Sequence, residues 1–76
     1  MNYRFITKQE TADIFRCSTR TLDRWRKDWI EGIHWIRLNK RVLFNQPLME
    51  NLLQCALDTH HPLHIREVDI YQRLKR

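Results

Sequence analysis

Between Ser18 and Gly32 the chain interleaves two kinds of side chain at a spacing that a helix alone separates cleanly. At 100° per residue, Leu22, Trp25 and Trp29 fall within about 60° of one another, while Arg20, Arg24 and Lys27 fall within about 60° on the opposite side. A helix here must bury its aromatic stripe against the rest of the chain and leave its basic stripe outward. Ser18 supplies the N-cap, and the helix is expected to run from Thr19 to Trp29 or Ile30, ending before Gly32, the sole glycine of the chain. Trp25 and Trp29 are expected as core anchors, not as base-stacking groups.

Charge is distributed as unevenly as the stripes suggest. The chain has 76 residues and a formal net charge of +5. Residues 1–15 and 42–76 each balance to zero, so the surplus lies in 16–41. There Arg16, Arg20, Arg24, Arg26, Lys27, Arg37, Lys40 and Arg41 face only Asp23, Asp28 and Glu31. A localised basic region suits an anionic partner. The length allows one domain, 1–76, with a core too small to frame a deep cleft, which argues against an enzyme. One glycine cannot build a phosphate-cradling loop, and neither Cys17 nor Ser18 has a recognisable base partner, so no catalytic residue and no cofactor are expected.

No apolar run approaches the ~18 residues of a membrane span, and Met1–Phe5 lack the order of a secretory signal, so a cytoplasmic location with no membrane partner is expected. Cys17 and Cys55 are expected as reduced, half-buried thiols. Cys55, His60, His61 and His64 crowd together, but they lack paired-cysteine zinc spacing, so no metal site is expected.

Around this helix the remaining pattern predicts a mainly α chain with a small β-hairpin. Thr7-Lys8-Gln9-Glu10 fits a capping box opening a helix over Lys8–Phe15, with Thr11, Ala12 and Phe15 on its buried face. Arg16-Cys17 forms a tight turn. Ile33–Leu38 and Arg41–Phe44 flank Asn39-Lys40 as two short strands, although adjacent Trp35 and Ile36 leave the inward face open. Asn45 and Pro47 open a core-facing helix that carries Leu48, Met49 and Leu52. A last helix at about 63–75, with Val68, Tyr71 and Leu74 on one side, is left either to pack on the core or to mediate protein contacts.

In that order and spacing these pieces resemble the winged helix-turn-helix of phage and integrative-element excisionases and of MerR-type regulators. The resemblance spans roughly Phe5–Leu53 and is carried by Ile6–Ala12 with Phe15, Ser18–Leu22 with Trp25, the Gly32-Ile33-His34 lead into the wing, and Arg41–Phe44. It implies that the second helix enters the major groove of double-stranded DNA, with Ser18, Thr19, Arg20, Thr21 and Arg24 near bases or phosphates and Lys27 at the backbone. Arg37, Asn39, Lys40 and Arg41 on the wing would meet the adjacent minor groove, and Arg16 in the turn would meet a phosphate. The chemistry agrees: Arg pairs bidentately with guanine and is preferred in narrow minor grooves.

The chain leaves too few residues for the long coiled coil and effector region of MerR-type proteins, which favours the excisionase-like member. By that resemblance it is a DNA-bending accessory factor for a tyrosine or serine integrase, self-associating side by side on DNA, and also a local repressor. It would be nucleoid-associated in a prokaryote or phage-infected cell and would bind no small-molecule ligand. Two alternatives stay open: a small MerR-like transcriptional regulator without a recombination role, and a protein-interaction module using the apolar C-terminal helix.

Overall fold

A computed structural model describes residues 4–74. The chain forms a small α/β structure with four helices and one three-stranded antiparallel sheet. Its elements run β1 (Phe5–Thr7), α1 (Lys8–Phe15), α2 (Thr19–Arg26), β2 (Trp35–Leu38), β3 (Arg41–Asn45), α3 (Gln46–Gln54) and α4 (Pro62–Leu74). The sheet order is β1-β3-β2, so β3 pairs on both sides. The expected hairpin is present, and β1 is a third strand that the sequence pattern did not signal. Three residues are too few to display an alternation.

Two residues end a strand and begin a helix without a linker. Thr7 closes β1 in extended geometry and caps α1: its Oγ1 accepts from the Glu10 amide at 3.1 Å, while Glu10 Oε1 accepts from the Thr7 amide at 2.9 Å. Hydrogen bonding to the ionised carboxylate from the Thr7 amide, and secondarily from the Thr7 side chain, holds the Glu10 pKa below its ordinary value. Asn45 closes β3 and caps α3, accepting from the Leu48 amide at 3.3 Å, with Pro47 inside the first turn where its missing N–H costs nothing.

The core lies between one face of the sheet and the helices. Strand register aligns Ile6, Phe44 and Trp35 in a row on that face, all buried. Trp35 therefore points inward and Ile36 outward. Ala12, Leu22, Leu48, Met49 and Leu52 close over this row, each fully buried.

The helical stripes sort as expected, but α2 stops early. It ends at Arg26, and the amides of Asp28 and Trp29 bond back three residues to Trp25 and Arg26. These tighter turns still carry Trp29 into the core, where its ring lies 6.3 Å from Phe15, 5.9 Å from His34 and 6.2 Å from Phe44. Trp25 is only half-buried, edge-on to Phe15 at 5.8 Å. Gly32 does not terminate the helix. Its φ of 91° lets its amide donate to the Trp35 carbonyl at 2.6 Å as the chain swings into β2. The fourth helix spans Pro62–Leu74, and the expected extension to residue 75 lies outside the described residues.

Several tight turns are made without glycine. Arg16 ends α1 at φ 54°, and Asn39 and Lys40 turn the hairpin at φ 50° and 67°, the pair of positive values a two-residue turn needs to match strand twist. A left-handed residue with a Cβ carries about 1–2 kcal/mol of strain, against which glycine loses about 0.5–1 kcal/mol in chain entropy. Arg16→Gly and Lys40→Gly are each expected to stabilise the fold by about 0.5–1 kcal/mol in urea unfolding. Leu22→Ala is expected to lower stability by about 2–5 kcal/mol with an unchanged denaturant slope, because the side chain is fully enclosed.

Candidate nucleic-acid interface

Helix α2 presents the basic stripe as its periodicity requires. Arg20 and Arg24 are exposed, and Lys27, the C-cap residue at φ −62° and ψ −26°, continues the helical path in the open. At the other end Ser18 caps the helix, its Oγ accepting from the Thr21 amide at 3.0 Å and lying 3.0 Å from Thr21 Oγ1. Ser18 and Thr21 therefore already serve the helix start, whereas half-buried Thr19 makes no such cap bond. Arg16 projects from the turn, exposed.

The hairpin divides its cations between two faces. Arg37 pairs with Val42 and shares the face of Trp35 and Phe44, beyond the buried part of the row. Arg41 pairs with Leu38 and shares the opposite face with Ile36 and Leu43. Asn39 and Lys40 cap the tip and are exposed. Alternation across a pleated strand forces this split, so the sequence group Arg37–Arg41 is not one patch.

Ion pairing separates the cations into two classes. Among the described residues, the pairs are Lys8–Asp23 at 3.1 Å, Arg26–Asp23 at 3.4 Å, His60–Asp58 at 4.0 Å and Arg73–Asp69 at 3.0 Å. None involves Arg16, Arg20, Arg24, Lys27, Arg37, Lys40 or Arg41. Surface cations kept free of carboxylates retain their full attraction for an anion.

Arg26 was the surprise within the basic segment. Its guanidinium lies 4.5 Å from the centroid of the Trp35 ring, while Asp23 holds its other side. It spends its charge internally, joining the end of α2 to the base of β2. Arg37 approaches the same ring at 6.0 Å. The sequence carried a weak signal for this: Asp23 and Arg26 stand one helical turn apart, but nothing local marks Trp35 as the third partner.

The remaining reactive side chains sit apart from this surface or are quiet. Burial pushes the Cys17 thiol up from its ordinary value, which keeps it protonated at neutral pH. His60 is exposed, and His61 Nδ1 accepts from the Leu63 amide at 3.1 Å. His64 is buried against His34, and Cys55 lies 3.9 Å from Asn51 Oδ1. Among the described residues no group of three or more His, Cys, Asp or Glu side chains is arranged to hold a metal ion. Among the described residues no helix is long and apolar enough to cross a membrane. No family model, curated protein or solved structure matches the chain.

Proposed function

We propose that this chain is a sequence-specific double-stranded-DNA-binding protein of winged helix-turn-helix type, acting as an excisionase-like accessory factor that bends DNA for an integrase. The observation that carries the reading is the set of exposed, unpaired cations on the α1–α2 turn, on α2 and on the hairpin, beside an Asp23 that pairs with both Lys8 and Arg26. α2 is the reading helix, its Arg20 and Arg24 suited to base edges and Lys27 to the phosphate backbone. The Asn39-Lys40-Arg41 tip is the part suited to a minor groove.

Backbone strain supports the same assignment. Among the described residues five without glycine's freedom have positive φ; Arg16, Asn39 and Lys40 are candidate contacts, and Ala56 and Leu57 close the turn after α3. A charged or polar side chain held at a strained, exposed turn fits a role in contacting a partner. Arg16→Gly and Lys40→Gly should therefore weaken DNA binding while stabilising the protein.

A second reading rests on α4. Leu63 and Leu74 on one side of α4 and Ile65 on the other are each about half exposed, apolar surface that would suit a protein-interaction module. The transcriptional-regulator alternative shares the whole DNA-binding surface and differs only in having no recombination partner.

The deciding experiment is binding to the DNA flanking its own gene and to scrambled duplex across a salt series. Preference for the flanking DNA by ~10³-fold or more, with a steep salt slope, is expected. Equal and weak binding to both duplexes would remove the DNA reading and leave the α4 face. Within the expected outcome, Arg20→Ala should cost ~1–3 kcal/mol and relax specificity at one base position, whereas Lys27→Ala should weaken all sequences alike and lower the salt slope by about one.

A further inference from the structure

Two histidines far apart in sequence meet edge to edge inside the protein. His34, at the lead into β2, and His64, in the first turns of α4, are 3% and 1% exposed, and their Nε2 atoms lie 2.9 Å apart. Each ring has a second bond that fixes where its proton must be. His34 Nδ1 accepts from the Ile30 amide at 3.0 Å, so in the neutral ring the proton is on Nε2, pointing at His64. His64 Nε2 must then accept, and its proton lies on Nδ1, which donates to Asn51 Oδ1 at 2.9 Å. The result is a single directional chain from the Ile30 amide through His34 and His64 to Asn51. It joins the connection between α2 and β2 to α4 and α3, and has one proton per ring.

The same bond pattern excludes a metal bridging the two rings, because His34 Nε2 carries hydrogen rather than a free lone pair. It also leaves no place for an extra proton. Protonating His64 Nε2 would set two N–H groups head to head, and protonating His34 Nδ1 would set one against the Ile30 amide. Burial and the neighbouring ring push the His34 pKa down to about 4, and burial pushes that of His64 below its ordinary value.

The charged and titratable surroundings do not reverse this. Asp58, in the loop before α4, attracts a proton to His64, but burial outweighs it. Asp28 after α2, with Arg66 and Asp69 on α4, lines the open groove beside the pair. On the α3 side the titratable neighbour is the Cys55 thiol, 3.9 Å from Asn51 Oδ1.

α4 is held to the body by a short row of side chains, His64 and Tyr71 with Val68 packed beside them. Of its residues Pro62–Leu74, only His64 and Tyr71 are buried, while Leu63, Ile65 and Leu74 face solvent. The groove of about 650 Å³ between α4 and the connection after α2 runs alongside the pair, between Ile30, Ile65 and Val68. We propose that His34 and His64 form an acid-released latch holding α4 to the body, so that mild acidification frees α4 while the sheet and the first three helices stay folded.

The direction follows from linkage. Both histidines take up protons more readily once released, so the latch holds fully above pH ~6.5 and weakens as pH falls toward about 4. With His34 alone shifting from about 4 to 6.5 on release, the open-to-closed ratio rises about twentyfold between pH 7 and pH 5, and more when His64 contributes.

The test is hydrogen exchange of the full chain resolved by element at pH 7, 6 and 5, corrected for intrinsic exchange. Protection in α4 is expected to fall about twentyfold or more while that of β3 and α2 changes less than about threefold. His60→Gln, at an exposed site, should leave the response intact, and His64→Gln should leave α4 poorly protected at every pH. Should His64→Gln fail to fold, histidine nitrogen shifts of the unsubstituted protein at pH 7 supply the second measurement. Protons on His34 Nε2 and His64 Nδ1 support the latch. The opposite tautomers, a flat α4 response, or loss of all elements in concert would each overturn it. None of these readouts requires DNA, so the latch and the DNA-binding proposal stand or fall separately.

Discussion

The architecture turns on the junction at Asn45, where the central strand becomes a helix with no residue between. Its backbone amide donates to the His34 carbonyl at 2.8 Å, its side-chain amide donates to the Ile33 carbonyl at 3.2 Å, and its side-chain oxygen caps α3. A buried polar group is costly unless satisfied, and a satisfied one specifies a single arrangement. Here three segments meet at one 1%-exposed side chain: the lead into β2, the end of β3 and the start of α3. Phe44, the preceding residue, pairs with Ile6 on one side and Trp35 on the other and is fully enclosed. Polar fit at Asn45 and apolar fit at Phe44 together hold the hairpin at a set angle to the helices.

A second joint decides how the basic surface is arranged. Lys8 and Arg26 converge on Asp23, and Arg26 lies over Trp35, so α1, α2 and β2 are tied through one carboxylate and one ring. Exposed pairs of this kind contribute little energy each, but Arg26 is largely covered and cannot swing away without losing the ring. The effect is to divide the cations into those that build the molecule and those left to meet a partner. For a DNA-binding reading that division matters more than net charge, since a helix and a hairpin must address one duplex together.

Much of this was legible in the chain. The capping box at Thr7–Glu10, the opposed stripes of α2, the hairpin around Asn39-Lys40 and the proline-started α3 are all consequences of neighbours within four residues. What was not legible has equally plain causes. β1 is a strand only because Asn45, Phe44 and Leu43 offer it an edge. The end of α2 is hidden in the pattern because Trp29 keeps helical phase with Leu22 while the backbone has already tightened into turns. His64 stands in sequence beside Cys55, His60 and His61, and its actual partner lies thirty residues away.

The candidate surface shows the same boundary. Sequence alone determined that Arg20, Arg24 and Lys27 share a helix face, because that follows from 3.6 residues per turn whatever the helix packs on. It also determined that Leu22 and the tryptophans oppose them. Tertiary structure decided that Arg26 is withdrawn from the basic set, that Arg37 and Arg41 take opposite faces of the hairpin, and that His34 and His64 meet. Each of those outcomes depends on strand register or on two elements closing around one side chain. Local periodicity carries no information about such contacts between segments distant in the chain.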